Sequence, residues 1–202
     1  MRVIAGKARS LPLKTLEGLN TRPTTDRIKE TLFNILSPSI PGSRFLDLFA
    51  GSGGIGIEAL SRGAEYAVLV DMSREAVKVI QENLRFTRLS DRARVIQKDA
   101  ASAVRSLYRE APFDLVYLDA PYGDGNLRRA LEALSESPII TRSTMLIAEE
   151  KKGADFSFVN ELGFELTRIK EYKTNEHVFL RKIRETAEVE HGKADRSVSG
   201  EF

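Results

Sequence analysis

The 202-residue chain has no cysteine, no tryptophan and only two histidines, His177 and His191. Without cysteine there are no disulfides, thiolate metal ligands or cysteine nucleophiles. Two imidazoles give little support for a histidine zinc site or a Ser-His-Asp triad, and no metal is expected. The opening residues 1–7 lack the apolar core of a signal peptide. No apolar run is long enough to span a membrane. The expectation is a cytoplasmic protein with no membrane partner. Excess charge of one sign is also missing, since the formal net charge is only +2.

That small net charge hides a local asymmetry. Up to residue 22 the bases are Arg2, Lys7, Arg9, Lys14 and Arg22, against the single acid Glu17. A basic leading segment is either an electrostatic footprint for nucleic acid or a solvated hairpin. Residues 2–16 alternate loosely around Gly6 and Pro12, which predicts a short β-hairpin. Ile28, Leu32, Ile35 and Leu36 then recur at helical spacing, with Thr25 or Asp26 available as N-cap.

From residue 44 strands and helices alternate. Strands are predicted at 44–49, 66–70, 93–97, 113–118 and 144–149. Helices are predicted at 54–62, 74–86, 101–110 and 127–135. This alternation implies right-handed crossovers and a parallel, doubly wound α/β sheet. Residues 164–171 and 177–182 are predicted to form a hairpin whose second arm lies antiparallel at the sheet. The organisation expected is a basic hairpin extension at 1–22, one domain at 23–183 and a disordered tail at 184–202.

In such sheets ligands bind at the carboxyl ends of the strands. Asp47, Asp71, Asp99 and Asp119 all fall at or just beyond those ends, so four acids line one crevice. Gly51-Ser52-Gly53-Gly54-Ile55-Gly56 fits the G-x-G-x-x-G dinucleotide pattern, with Asp71 placed for ribose hydroxyls. Asp47 argues against a dinucleotide. At about 4–6 Å and an effective dielectric near 20, a carboxylate would repel a pyrophosphate by on the order of 3–4 kcal/mol. A cofactor carrying an ammonium and a sulfonium, S-adenosyl-L-methionine, would be attracted instead. Asp71 and Asp99 are also plausible helix caps.

Asp119-Ala120-Pro121-Tyr122 ends another apolar strand. Pro121 fixes its own φ and restrains Ala120 to extended geometry. The Asp119 carboxylate and the Ala120 carbonyl then form two acceptors for the two N–H groups of an exocyclic amine. Tyr122 is placed to stack on a flat base, worth about 1–3 kcal/mol. Positioning is the main contribution expected, with Asp119 also able to take the released proton.

Asp47 to Gly53 resembles motif I of class I S-adenosylmethionine-dependent methyltransferases. Asp119 to Tyr122 resembles the Asp-Pro-Pro-Tyr motif of enzymes that methylate exocyclic amines. Arg2-Val3-Ile4-Ala5-Gly6-Lys7, Thr21-Arg22-Pro23-Thr24-Thr25-Asp26-Arg27 and Leu32-Phe33-Asn34-Ile35-Leu36 resemble the RsmD family, bacterial 16S ribosomal RNA guanine-N2 methyltransferases. The resemblance runs from residue 2 to about residue 182. It implies a Rossmann-like domain with a mostly parallel seven-stranded sheet and a C-terminal antiparallel strand. It implies S-adenosylmethionine held by Asp47, Phe49, Gly51, Ser52, Gly53, Asp71, Met72, Asp99 and Ala100. It also implies 16S rRNA or an assembling 30S subunit as partner, contacted by Arg2, Lys7, Arg9, Arg22, Thr24 and Arg27. A monomer is expected. Ala120 departs from the family pattern, which usually has proline there. Alternatives are a DNA amino-methyltransferase, an NAD(P)-dependent oxidoreductase, and a non-catalytic RNA-binding or assembly protein with a degenerate pocket.

Overall fold

The computed structural model describes residues 1–16 and 26–183. Seven strands form one sheet: β1 Arg44–Asp47, β2 Tyr66–Asp71, β3 Ala93–Gln97, β4 Leu115–Leu118, β5 Met145–Lys151, β6 Phe164–Glu171 and β7 Asn175–Lys182. Their order is β3-β2-β1-β4-β5-β7-β6. The pairs β1–β2, β1–β4, β2–β3 and β4–β5 are parallel. β7 runs antiparallel to both β5 and β6, so the terminal hairpin inserts its second arm beside β5.

The helices are α1 Asp26–Leu36, α2 Gly54–Ser61, α3 Arg74–Thr87, α4 Ala100–Ser106 and α5 Asn126–Ser135. Successive strand residues face opposite sides of a sheet, and the core divides accordingly. On one face Leu46, Val68, Val116 and Leu146 pack with Val104 of α4 and Leu131 of α5. On the other, Phe45, Ala67, Leu69 and Leu115 pack with Phe33 of α1, Leu60 of α2 and Ile80 of α3. From β1 the chain therefore winds outward to β3 with one set of helices. It then returns to β4, beside β1, and winds the other way with the other set. The carboxyl ends of β1 and β4 flank the point where the winding reverses, the usual ligand crevice of this architecture.

Two local departures have physical reasons. α4 ends at Ser106, short of the predicted residue 110. Beyond it Glu110 turns back to accept from Arg44 at 3.0 Å and Arg94 at 2.8 Å. The leading hairpin forms, with an isolated bridge between Arg2 and Pro12, but it does not stand free. Val3, Ala8 and Leu13 are buried in the second core cluster. Its backbone is bound to α2: Ile4 and Ala5 N–H donate to Glu58 at 2.8 and 3.0 Å, and Lys7 N–H to the Ser61 carbonyl at 2.8 Å. Gly6, at φ +83°, lies so close that a Cβ would stand 1.9 Å from the Ser61 oxygen.

Candidate active site

A cavity of about 550 Å³ opens at the carboxyl ends of β1, β2, β3 and β4. Of the expected cofactor-binding residues, Asp47, Phe49, Gly51, Ser52, Asp71, Met72, Asp99 and Ala100 line it. Gly53 lies just behind, as the left-handed N-cap of α2 at φ +83°. Asp119 and Pro121 line the same cavity from the β4 side. One hollow therefore joins the two sequence motifs.

Asp47 ends β1 and is almost wholly buried. Its Oδ2 accepts from the Gly56 N–H at 3.2 Å, while Oδ1 is buried without a hydrogen-bond partner. Burial pushes its carboxyl up to about 7, against the pull of the Gly56 and Phe49 N–H groups, and Asp71 adds to the rise. An unpartnered buried acceptor on a cavity wall costs about 1–3 kcal/mol and fits a cationic donor.

Asp71 ties the glycine turn in place. Its Oδ2 accepts from Gly51 N–H at 2.9 Å and its Oδ1 from Ser73 N–H at 2.8 Å. Ser73, not Asp71, caps α3. Gly51 needs its positive φ of +54°, and a Cβ there would meet nothing within 4 Å. Gly56 serves packing instead, since a Cβ there would come within 2.7 Å of Leu69 on β2. Asp99 is the N-cap of α4, accepting from Ser102 N–H at 2.9 Å, and that bond holds its carboxyl below the usual range.

At the β4 end, burial drives the Asp119 carboxyl well above the ordinary aspartate value, and the charges of Glu149 and Asp47 add to the effect. Ala120 is buried among the core residues behind α4 and α5. Tyr122 is 39% exposed, with the Lys151 ammonium 5.7 Å from its ring centroid. Ala120 and Tyr122 are not part of the cavity wall itself.

Of the expected RNA contacts, Lys7, Arg9 and Arg27 are exposed. Arg2 pairs with Asp26 at 3.2 Å across the entry to α1. Arg22 and Thr24 lie outside the described residues, as does the tail from residue 184. Among the described residues there is no group of metal-ligating side chains. No helix there is long and apolar enough to cross a membrane.

Sequence reasoning missed several residues. Lys29 lines the cavity, fully buried, donating to the Arg2 carbonyl at 2.6 Å and pairing with Glu58 at 3.2 Å. Burial pushes its ammonium down and Glu58 pulls it back up. Glu58 also holds Arg62 at 2.7 Å. The signal was available: Lys29 shares the apolar stripe of Leu32, Phe33 and Leu36, and Glu58 is a lone charge in an apolar helix. Tyr117 and Asn126 also line the cavity.

Residues 1–181 match the family model described as Conserved hypothetical protein 95. The chain belongs to this family, the RsmD family. It is 37% identical to ribosomal RNA small subunit methyltransferase D of Escherichia coli K12, over 75% of each chain. The Haemophilus influenzae protein of the same name is 36% identical, over 75% of this chain and 79% of that one. The Escherichia coli yhhF structure covers 91% of this chain and 98% of its own, at 32% identity and a TM-score of 0.79. The fold is that of the class I methyltransferases, and the family's chemistry is methyl transfer.

Proposed function

We propose that the protein transfers a methyl group from S-adenosyl-L-methionine to the exocyclic N2 amine of a guanine in 16S ribosomal RNA. One observation carries this reading: the buried, unpartnered Oδ1 of Asp47 and the carboxyl of Asp119 belong to one cavity. The names of the curated relatives support an RNA acceptor.

S-adenosylmethionine supplies an electrophilic methyl group on a sulfonium. In this chain Asp47 Oδ1 would take the ammonium of its amino-acid end. Asp71, already fixed by Gly51 and Ser73, would take the ribose hydroxyls, and Asp99 with the Ala100 backbone would face the adenine edge. Phe49, Met72, Gly51 and Ser52, which line the same cavity, would complete the holding set. Asp119 and the Ala120 carbonyl orient the guanine amine, Pro121 holds the turn, and Tyr122 stacks on the base. Asp119 receives the proton the amine loses. Positive charge entering the cavity favours the ionised form of both Asp47 and Asp119. Arg2, Lys7, Arg9 and Arg27, with Arg22 and Thr24, contact the RNA backbone, giving affinity that falls with salt. A guanine in a loop or partly unfolded RNA reaches the pocket without the few kcal/mol needed for flipping from a duplex.

The test is tritium-methyl transfer onto undermethylated 30S particles, naked 16S rRNA and duplex DNA, followed by nucleoside digestion. The expected product is N2-methylguanosine from an RNA substrate. Label in DNA would favour the amino-methyltransferase of duplexes. Tight binding to particles with no label would favour an assembly factor.

A further inference from the structure

Beside Asp119 stands a second acid that the chemistry above does not use. β4 and β5 run parallel with Leu118 next to Ala148. Continuing that register one residue past the end of β4 sets Asp119 beside Glu149 of β5, and the Glu149 charge is among those that raise Asp119. Glu149 in turn lies opposite His177 on β7. Three donors converge on its carboxyl: Tyr117 Oη at 2.7 Å and His177 Nε2 at 3.1 Å on Oε2, and Asn175 Nδ2 at 2.6 Å on Oε1. Tyr172 Oη sits 3.0 Å from His177 Nδ1. An ionised Glu149 can only accept, so Nε2 carries a proton toward it, and the Tyr172 contact at Nδ1 holds the ring in place.

Glu149, Asn175 and His177 are all buried, and Tyr117 reaches from the cavity wall into the cluster. So many donors on one buried carboxylate are more than its place in a strand requires. Burial opposes ionisation of Glu149, but the bond and charge of His177, with the bonds from Tyr117 and Asn175, outweigh it and hold the group below the usual glutamate range. The other charged groups around Asp119 are Asp47 on β1 and Glu150 on β5, with Lys29 of α1 on the cavity wall. The donors select Glu149 as the acid that keeps its charge.

We propose that Glu149 is a positioning residue for methyl transfer: its charge, fixed by Tyr117, His177 and Asn175, tunes Asp119 as the base for the guanine amine. The proposal rests on the function given above. As the N–CH3 bond forms, the S–CH3 bond breaks with its electron pair kept by sulfur. The N–H proton passes to Asp119 and leaves a neutral secondary amine. A neighbouring carboxylate that cannot itself take this proton makes Asp119 the better acceptor.

The experiment is a carbon-13 carboxyl titration of Asp119 in the full chain, alongside the pH profile of methyl transfer. In Glu149→Gln the Asp119 midpoint is expected to fall by about 1–2 pH units. The acidic limb of the rate profile should move with it, and kcat should drop while KM stays put. Glu149→Asp, which keeps the charge, should restore the high midpoint in part. A folded Glu149→Gln chain with an unmoved Asp119 midpoint overturns the proposal. So does a wild-type midpoint in the ordinary aspartate range, which needs no variant to fold. A wild-type chain that transfers no methyl group, yet shows the coupled titration, tells against the function and leaves the Asp119–Glu149 pairing standing.

Discussion

Two acids, Asp47 on the cavity wall and Glu149 behind it, solve opposite electrostatic problems. On the β1 side Asp47 is buried with one oxygen unpartnered, which leaves it able to accept from a donor outside the protein. On the β4–β5 side the protein supplies the donors itself, and Glu149 receives Tyr117, His177 and Asn175. Above neutral pH the first arrangement costs the empty protein free energy that the proposed cationic ligand would offset. The second is satisfied in advance, and in our proposal its charge acts on Asp119. An acid left short of partners binds, whereas an acid supplied with them shapes the chemistry next to it.

The largest expected effect separates the two sides directly. Asp119→Ala should lower methyl transfer by at least about 10²- to 10⁴-fold, the usual range for a lost general base. It should leave S-adenosylmethionine affinity near wild type in a calorimetric titration. Normal transfer by that variant would remove Asp119 from the chemistry.

Asp47→Asn should do the reverse to binding and also change stability. Asp47 ionises at about 7 in the folded chain against an ordinary 3.8. A raised carboxyl contributes stability below its unfolded value and loses it as pH rises through the folded one. Keeping Asp47 charged above neutral pH therefore costs the empty protein up to about 4 kcal/mol. The Asn variant should bind the cofactor far more weakly yet melt higher at alkaline pH, with little difference at acid pH. A variant that melts lower at alkaline pH would show that the Asp47 charge is already compensated.

A third contrast sets the hairpin against the domain it leans on. Glu58→Ala would strip partners from Ile4, Ala5, Lys29 and Arg62 together. Leaving the buried Lys29 ammonium without its counter-ion, held by the Arg2 carbonyl alone, should cost about 3–5 kcal/mol in urea unfolding. A cost below about 1 kcal/mol would mean that the hairpin docks by apolar contact alone.

The smallest effect belongs to Ala120. Restoring proline should leave transfer equal or modestly higher, because the chain loses freedom that the turn does not use. A large loss would show that the Ala120 carbonyl is not positioned as proposed.

These contrasts follow what the sequence could and could not reveal. The order of strands and helices, the glycine turn and the placing of Asp119 and Pro121 at the same crevice were legible because each is written in consecutive residues, whereas Ala120 and Tyr122 lie off the cavity wall. Lys29 on an apolar stripe and Glu58 alone in an apolar helix were visible as oddities, but that they pair, and that donors gather on Glu149, was not, since each cluster joins residues far apart in the chain. Lys29 occupies an apolar position on α1, and His177 looks like any strand residue until β7 lies against β5. The glycines were only half legible: Gly51 faces open space, but Gly56 exists for the packing of α2 on β2.

The most direct test of the electrostatic account is calorimetric titration of the wild-type chain with S-adenosylmethionine and, separately, NADH across neutral pH. S-adenosylmethionine should bind more tightly as pH rises from about 6 to about 8 and Asp47 ionises, with no measurable NADH binding. NADH seated in the cavity, or S-adenosylmethionine affinity that weakens over that interval, would contradict it.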